Sequence, residues 1–497
     1  MTDLSLYRRF EQVFERVHGR TALRSADGAF RLSYGELAES VARYAQALQS
    51  LGMEPGDRVT VQTEKSPAGV VLYLAVLKSG GVYQPLNPAY TNSEVEYFVG
   101  NAQPKLIVCD PARQPAMRAI ADRHKVFAVV NLDRNGEGSL AKVAAQMEGR
   151  FDTVPRGADD FAGLLYTSGT TGRSKGAMIT HGNLLSNAET LVKLWRIIGD
   201  DVLLHALPLF HVHGLFVALN TCFLAGAEVI CFDRFDAEAL TAALPQASLL
   251  MGVPTFYTRL LATPAFTRGA AANMRLFISG SAPLLAETHQ KFSATTGHAI
   301  LERYGMTETG MITSNPYDGL RVPGTVGFAL PGVAVRISGD QPGVLEVKGP
   351  NVFKGYWRMP EKTAEDFTAD GYFITGDVGT IDAEGRVTIV GRAKDLIITG
   401  GFNVYPKEVE DVLDAIPGIS ESAVVGVPHE DFGEGVIALV TAKGELPPEA
   451  EMIATASTLL AKFKVPKRII TVAELPRNAM GKVQKGELRK AYGKTFT

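Results

Sequence analysis

Cysteine is scarce in this chain. Cys109, Cys222 and Cys231 are the only three in 497 residues. That is too few for a disulfide framework or a four-thiolate zinc site, and it suits a reducing cytoplasm. A surplus of either charge is also missing: the formal net charge is −3 with 21% charged residues. No global basic field is available for nucleic acid or an anionic membrane. Long apolar runs are absent too. The opening MTDLSLYRRFEQVFERVHGR has no apolar signal core. The longest uncharged stretch, 202–227, carries Pro208, Asn220 and the histidines 205, 211 and 213. It reads as buried core around a polar site, not as a membrane span. No fixed-period repeat or low-complexity segment is visible. What is present is an ordinary apolar fraction of 46% and fifty glycines. At about 100–200 residues per domain, the length predicts two to four domains.

Apolar runs alternate with helical patterns through the first two-thirds. DRVTVQT (57–63), PKLIVCD (104–110) and VFAVVN (126–131) read as strands, with the helical SPAGVVLYLAVLKSG after the first. Such alternation predicts an α/β domain of parallel or mixed sheets covered by helices. From about 320 the texture changes to short strands with close turns (TVGFAL, VAVRIS, GVLEVKG, GRVTIVG), which predicts a small β subdomain. After GRAKDLIITGG the pattern resets. KEVEDVLDAI has Val409, Val412, Leu413 and Ile416 at helical spacing, SAVVGVP and VIALVTAK read as strands, and EAEMIATASTLLAKF as a helix. The expectation is a large domain over 1–393 and a small α+β domain over 394–497.

The strongest local signal is LLYTSGTTGRSKGAMITHGNL (164–184). An apolar strand ends at Tyr166 and a run rich in Gly, Ser and Thr follows, with Lys175 inside it. A helix with Leu184, Ala188, Leu191 and Trp195 on one stripe then starts. Small residues let backbone N–H groups approach phosphate oxygens, hydroxyls add donors, and the lysine adds charge. The Walker pattern fails, because Ser174 stands where its second glycine would fall. The three histidines make a weak zinc signal, since no cysteine or carboxylate lies near them in sequence.

YTSGTTGRSKG resembles the phosphate loop of the acyl-adenylate-forming enzymes. The family's other motifs follow in order: ALPLFHVHG, ISGSAPL, YGMTET, YFITGD, GRAKDLIITGGFNVYPKEVE and PRNAMGK. The resemblance covers nearly the whole chain. It implies a small, mobile C-terminal domain and two half-reactions: a carboxylate and MgATP give acyl-AMP, then the thiol of coenzyme A gives a thioester. It implies that Thr167, Ser168, Gly169, Thr170, Thr171 and Lys175 hold phosphates. Tyr304, Gly305 and Thr307 would contact the nucleotide, with Tyr304 stacked on adenine. Glu308 would hold Mg²⁺, a hard cation that prefers oxygen ligands. Asp377 would take the ribose hydroxyls and Arg392 the ribose or phosphate. His211 would lie over the acyl pocket; His205 reads as a core histidine and His213 is open. Lys482 would bridge the attacking carboxylate and the ATP phosphates, with Asn478 where threonine is common. Lys394 takes the hinge position. Gly400 and Gly401 would line the path of the pantetheine arm. Lys462 and Lys464 are candidates for the phosphates of coenzyme A, or simply a charged helix end. Lys482 is also a candidate target of a lysine acetyltransferase. A peptide-synthetase adenylation domain is disfavoured, since no carrier segment follows Lys482.

The acid is suggested by LLMGVPTFYTRLL (249–261), which stands where the family builds its acyl pocket. An arginine in an apolar setting usually has an anionic partner. Arg259 is therefore a candidate for a distal carboxylate, with Arg275 in support; the alternative is an amphipathic helix with Arg259 facing water. The surrounding motifs resemble the malonyl-CoA synthetase branch, which implies that Arg259 and Ser281 hold the distal carboxylate while His211 and Met306 line the pocket. The alternative enzyme activates another short-chain or aryl acid. The alternative class is a nucleotide-binding protein without adenylating activity, against which the intact set Lys175, Glu308, Asp377 and Lys482 argues.

Overall fold

The computed structural model describes residues 3–167, 174–399, 402–478 and 481–496. The chain divides into two compact units.

The first unit takes in residues up to 323 together with 327–334 and 348–373. One of its sheets runs Ala128–Asn131, Leu106–Cys109, Arg58–Gln62, Val82–Pro85, Phe161–Thr167, Lys175–Thr180, and only the last pair is antiparallel. The strands expected at 57–63, 104–110 and 126–131 are all here. The helix Pro67–Lys78 between them is buried on nearly every side. The segment after the Gly/Ser/Thr run differs from expectation. Lys175 opens a strand rather than lying inside a loop, and the helix begins only at His181, capped by Thr180. The reason is local: Lys175–Thr180 pairs back on Phe161–Thr167, and its buried positions sit on a strand, not a helical stripe. The predicted stripe Leu184, Ala188, Leu191 and Trp195 is buried.

A second sheet carries Glu228–Cys231, Val202–His205, Leu249–Gly252, Leu276–Ser279 and Leu301–Met306 in parallel. Gly310–Ser314 then turns back antiparallel. Parallel strands all point the same way, so the segments after His205, Ser279 and Met306 gather at one edge, where open α/β sheets place ligands.

The second unit comprises 324–326, 335–347 and 374–497. It is wider than the 394–497 segment expected from sequence, because Phe373–Ile381 and Arg386–Arg392 pair as a hairpin in one sheet with Ala334–Ser338 and Gly343–Lys348. Its other sheet has Ile419–His429 as an edge strand beside Gly433–Ala442. Val409, Leu413 and Met452 pack on one face of that sheet. Leu475 and Leu488 pack on the other, against Ala423, Val425 and Val427. Among the described residues, no helix is long and apolar enough to cross a membrane.

Candidate active site

In the first unit, Thr167 ends its strand and donates from Oγ1 to Glu308 Oε1 at 3.1 Å. Tyr356 OH donates to the same oxygen at 3.2 Å. Glu308 is buried, and its Oε2 accepts no hydrogen bond among the described residues. Burial, and then the Glu308 carboxylate beside it, pushes the Tyr356 phenol well up. Lys175 is buried next to them, with Nζ 4.1 Å from the Tyr356 ring centroid and 3.4 Å from Asp366 Oδ2. Two strand ends thus bring Thr167, Lys175 and Glu308 together around the stems of the Gly/Ser/Thr run. Ser168, Gly169, Thr170 and Thr171 lie outside the described residues. Glu308 fits a single carboxylate ligand for Mg²⁺, which keeps most of its water and takes one or two carboxylates. No cluster of three or more His, Cys, Asp or Glu able to hold a metal occurs among the described residues.

Tyr304, Gly305 and Met306 close the strand Leu301–Met306, opposite Thr313, Met311 and Gly310. A Cβ on Gly305 would lie 2.1 Å from the Gly310 carbonyl oxygen, so no side chain fits there. Thr307 lines a cleft with Leu86, Tyr90, Tyr166, Phe210 and His211. Met306 is half-buried against the main core.

The histidines separate cleanly. His205 is buried, with Nε2 2.8 Å from the Gly214 carbonyl, and burial pushes it down to about 3. Its Nδ1 is buried without a hydrogen-bond partner, so it is a core histidine satisfied at one nitrogen only. His213 opens a π-helical segment, His213–Leu219, a geometry found often at functional sites. Its Nδ1 lies 3.3 Å from Ser281 Oγ, and burial and then Arg303 hold it well below its ordinary value, so the ring is neutral. His211 Nδ1 accepts from the His213 backbone N–H at 3.3 Å. Ser281 has φ +72, a strained conformation for a residue with a Cβ, of the kind that clusters at ligand clamps.

The residue that sequence reasoning missed is Arg303. It is 3% exposed, and its Nε and Nη2 have no hydrogen-bond partner. Burial pulls its pKa down to about 9. Its neighbour Glu302 cannot neutralise it, because successive strand residues face opposite sides, and Glu302 Oε1 lies 3.1 Å from His289 Nδ1. A Cβ on Gly280 would sit 2.3 Å from Arg303 Nη1, so the backbone of the ISGSAPL turn lies directly on the guanidinium. In the sequence Arg303 stands beside Glu302 in LERYGM, where adjacent opposite charges read as an ordinary ion pair.

Arg259 is placed differently from a buried anchor. It lies on the helix Pro254–Leu261, whose buried residues are Phe256, Tyr257 and Leu260. Its own side chain is exposed, with the guanidinium 5.9 Å from the Phe235 ring centroid. No carboxylate among the described residues pairs with it, and it makes no hydrogen bond to Ser281. The support expected from Arg275 is overturned: Arg275 is locked on Asp201, with Nε 2.7 Å from Oδ1, and on the backbone carbonyls of Trp195 and Arg196.

In the second unit, Asp377 is buried and faces Arg392 across the hairpin, Oδ1 to Nε 2.8 Å. Lys482 sits in a tight turn: its N–H donates to Asn478 Oδ1 at 3.0 Å, and the Asn478 N–H donates back to its carbonyl at 2.9 Å. Asn478 therefore builds the turn. Lys394 lies in a short 3₁₀ turn, Ala393–Asp395. Lys464 is paired with Glu408 at 2.5 Å, whereas Lys462 is exposed. Gly400 and Gly401 lie outside the described residues.

A buried lysine and a buried glutamate brought together beside a Thr at a strand end, in a domain of largely parallel sheets, suit a nucleotide-using α/β enzyme. Residues 10–357 match the family described as AMP-binding enzyme, and residues 408–482 the AMP-binding enzyme C-terminal domain. The chain belongs to this family. A feruloyl-CoA synthase of Amycolatopsis sp is 35% identical over 483 residues, 94% of this chain and 95% of that protein. A malonate–CoA ligase of Arabidopsis thaliana is 33% identical over 522 residues, 94% and 85%. The crystal structure of ATP-bound MatB from Rhodopseudomonas palustris matches with a TM-score of 0.96 at 53% identity over all of both chains.

Proposed function

We propose that the protein is an AMP-forming malonate–CoA ligase. The observation that carries the reading is the buried Arg303 guanidinium, whose Nε and Nη2 have no hydrogen-bond partner, lying against the Gly280 turn and close enough to act on His213. An uncompensated buried cation costs several kcal/mol, which a second substrate carboxylate would repay. The malonate–CoA ligase and the ATP-bound MatB among the relatives support the same substrate.

In the first half-reaction a malonate oxygen attacks the α-phosphorus of ATP, and pyrophosphate leaves. Lys482 places a cation between the two anionic reactants, where charge develops. Thr167, the following Gly/Ser/Thr run and Lys175 hold phosphates; Tyr304, Gly305, Thr307, Asp377 and Arg392 hold the nucleotide. Mg²⁺, held at Glu308, would screen phosphate charge. Arg303 and Ser281 fix the distal carboxylate, Arg259 draws the dianion in from its exposed position, and His211 and Met306 line the remaining space. In the second half-reaction the coenzyme A thiol attacks the acyl carbon and AMP leaves. Gly400, Gly401 and Lys462 are the candidates to guide coenzyme A; Lys464 is already paired. Neither the relatives nor the geometry supports a lysine acetyltransferase as a partner.

The test is pyrophosphate release and coenzyme A consumption across acetate, malonate, methylmalonate, succinate, butyrate and benzoate. Malonate is expected to lead butyrate by about 10³ in kcat/KM, since each 1.4 kcal/mol is about tenfold. Benzoate or butyrate leading would replace malonate by an aryl or short-chain acid.

A further inference from the structure

The turn that carries Lys482 is tied to the rest of its unit on both sides. Arg477, just before it, pairs through Nη2 with Glu421 on the edge strand Ile419–His429. Its Nη1 donates to the Gly481 carbonyl at 2.6 Å, one residue from Lys482. Lys485, just after it, places Nζ 2.6 Å from Glu410 Oε1 on the helix Pro406–Asp414. Glu410 is itself fixed, since Oε1 also accepts the Val424 N–H at 2.8 Å. Glu421 and Val424 lie on opposite faces of the edge strand, so the two ion pairs grip the turn around that edge. Arg477 and Glu421 are only about one-third exposed, and Lys485 and Glu410 less. These pairs are shielded more than surface ion pairs, whose median value is about 0–1 kcal/mol.

We propose that Glu421 and Glu410, acting through Arg477 and Lys485, are positioning residues that hold Lys482 in the geometry adenylation needs. The proposal rests on the adenylation role given to Lys482. A lysine on a flexible stem loses rate when its backbone wanders, because a misplacement of about 1 Å can cost 10²-fold. Neither carboxylate touches substrate. Their effect belongs to the half-reaction that uses Lys482 and to no other.

The experiment measures the half-reactions separately in the full-length protein: malonate-dependent pyrophosphate exchange, and thioester formation from preformed malonyl-AMP and coenzyme A. Glu421→Ala and Arg477→Ala are expected to slow exchange by about 10–100-fold. KM for ATP and malonate should stay within about threefold and thioester formation near wild type. The charge swap Glu421→Arg/Arg477→Glu is expected to recover at least tenfold of the loss, as a directly coupled pair should. Lys485→Met reports on the second tie with Glu410 left intact. Equal losses in both half-reactions, or a folded swap variant of unchanged Tm with no recovery, would overturn the proposal. Lys482→Ala runs alongside. If it leaves exchange intact, the adenylation role itself is wrong and the positioning claim falls with it. If it abolishes exchange while the Glu421 and Arg477 variants do not, only the positioning claim falls.

Discussion

At the scale of single residues, the two arginines proposed to meet a second carboxylate differ in burial, and burial decides what each can contribute. Arg303 is desolvated, with Nε and Nη2 unpartnered, so under the proposed function a monocarboxylate would leave it uncompensated and a dicarboxylate would repay it. Arg259 is exposed, so water screens it whichever acid is bound. Arg303→Met is expected to cut the malonate-over-butyrate ratio of kcat/KM by at least about 10², with butyrate activity held or raised. Arg259→Leu should cut the same ratio by no more than about tenfold. The Arg303 variant should also unfold at a higher temperature than wild type in the absence of substrate, because it removes a buried unpaired charge. A Tm that falls in Arg303→Met, with both acids slowed alike, would make the arginine structural. Arg259 drew notice in the sequence because it interrupts an apolar window, yet a window holds both faces of a helix. Arg303 was hidden because neither its strand register nor the Gly280 turn lying on it can be read from a neighbouring residue.

At the scale of elements, apolar strands were legible because burial on both faces leaves continuous runs, and helices because their stripes recur at 3.6 residues. The strand Lys175–Thr180 was not, since its partner, Phe161–Thr167, lies across the Gly/Ser/Thr run and that pairing defines it. The helix Pro406–Asp414 shows what periodicity leaves out. Its last residue, Asp414, is half-buried, and desolvation, with Glu410 and Glu421 nearby, pushes its pKa from 3.8 up to about 7. Between these values the unfolded chain has released the proton and the folded chain has kept it. The stability that this group contributes is therefore lost as pH rises through that window, and that contribution is gone above about 7. Asp414→Asn should gain about 1–3 kcal/mol over wild type at pH 8 and nothing at pH 4, read from urea unfolding at each pH. A gain that is the same at both pH values would mean the benefit is not electrostatic.

At the scale of the whole molecule, the chain falls into two compact units, and the groups proposed for adenylation are shared between them: Lys175, Tyr304, Glu308 and Arg303 in one, Asp377, Arg392 and Lys482 in the other. The motifs of both halves were legible because each is short and local, and both halves match the family's models. The extent of the second unit was less legible, since Phe373–Ile381 and Arg386–Arg392 belong to a sheet with Gly343–Lys348 and Ala334–Ser338, and that grouping is not written in any one motif. If Lys482 serves adenylation as proposed and the site later admits a thiol, the chain needs a backbone position that changes between the half-reactions. The 3₁₀ turn Ala393–Asp395 is our candidate, with Lys394 at its centre. Proline fixes φ near about −65° and disfavours the helical region for the residue before it, so Lys394→Pro restricts both Ala393 and position 394. If rotation there is needed only for the second half-reaction, malonate-dependent pyrophosphate exchange should stay within about threefold of wild type while malonyl-CoA formation falls by about 10² or more. Lys394→Ala, which keeps the backbone free, should retain both activities and so separates loss of rotation from loss of the ammonium group. Wild-type turnover in the proline variant would move the pivot elsewhere. Equal loss of both half-reactions would show instead that the turn is needed to build the adenylation geometry itself.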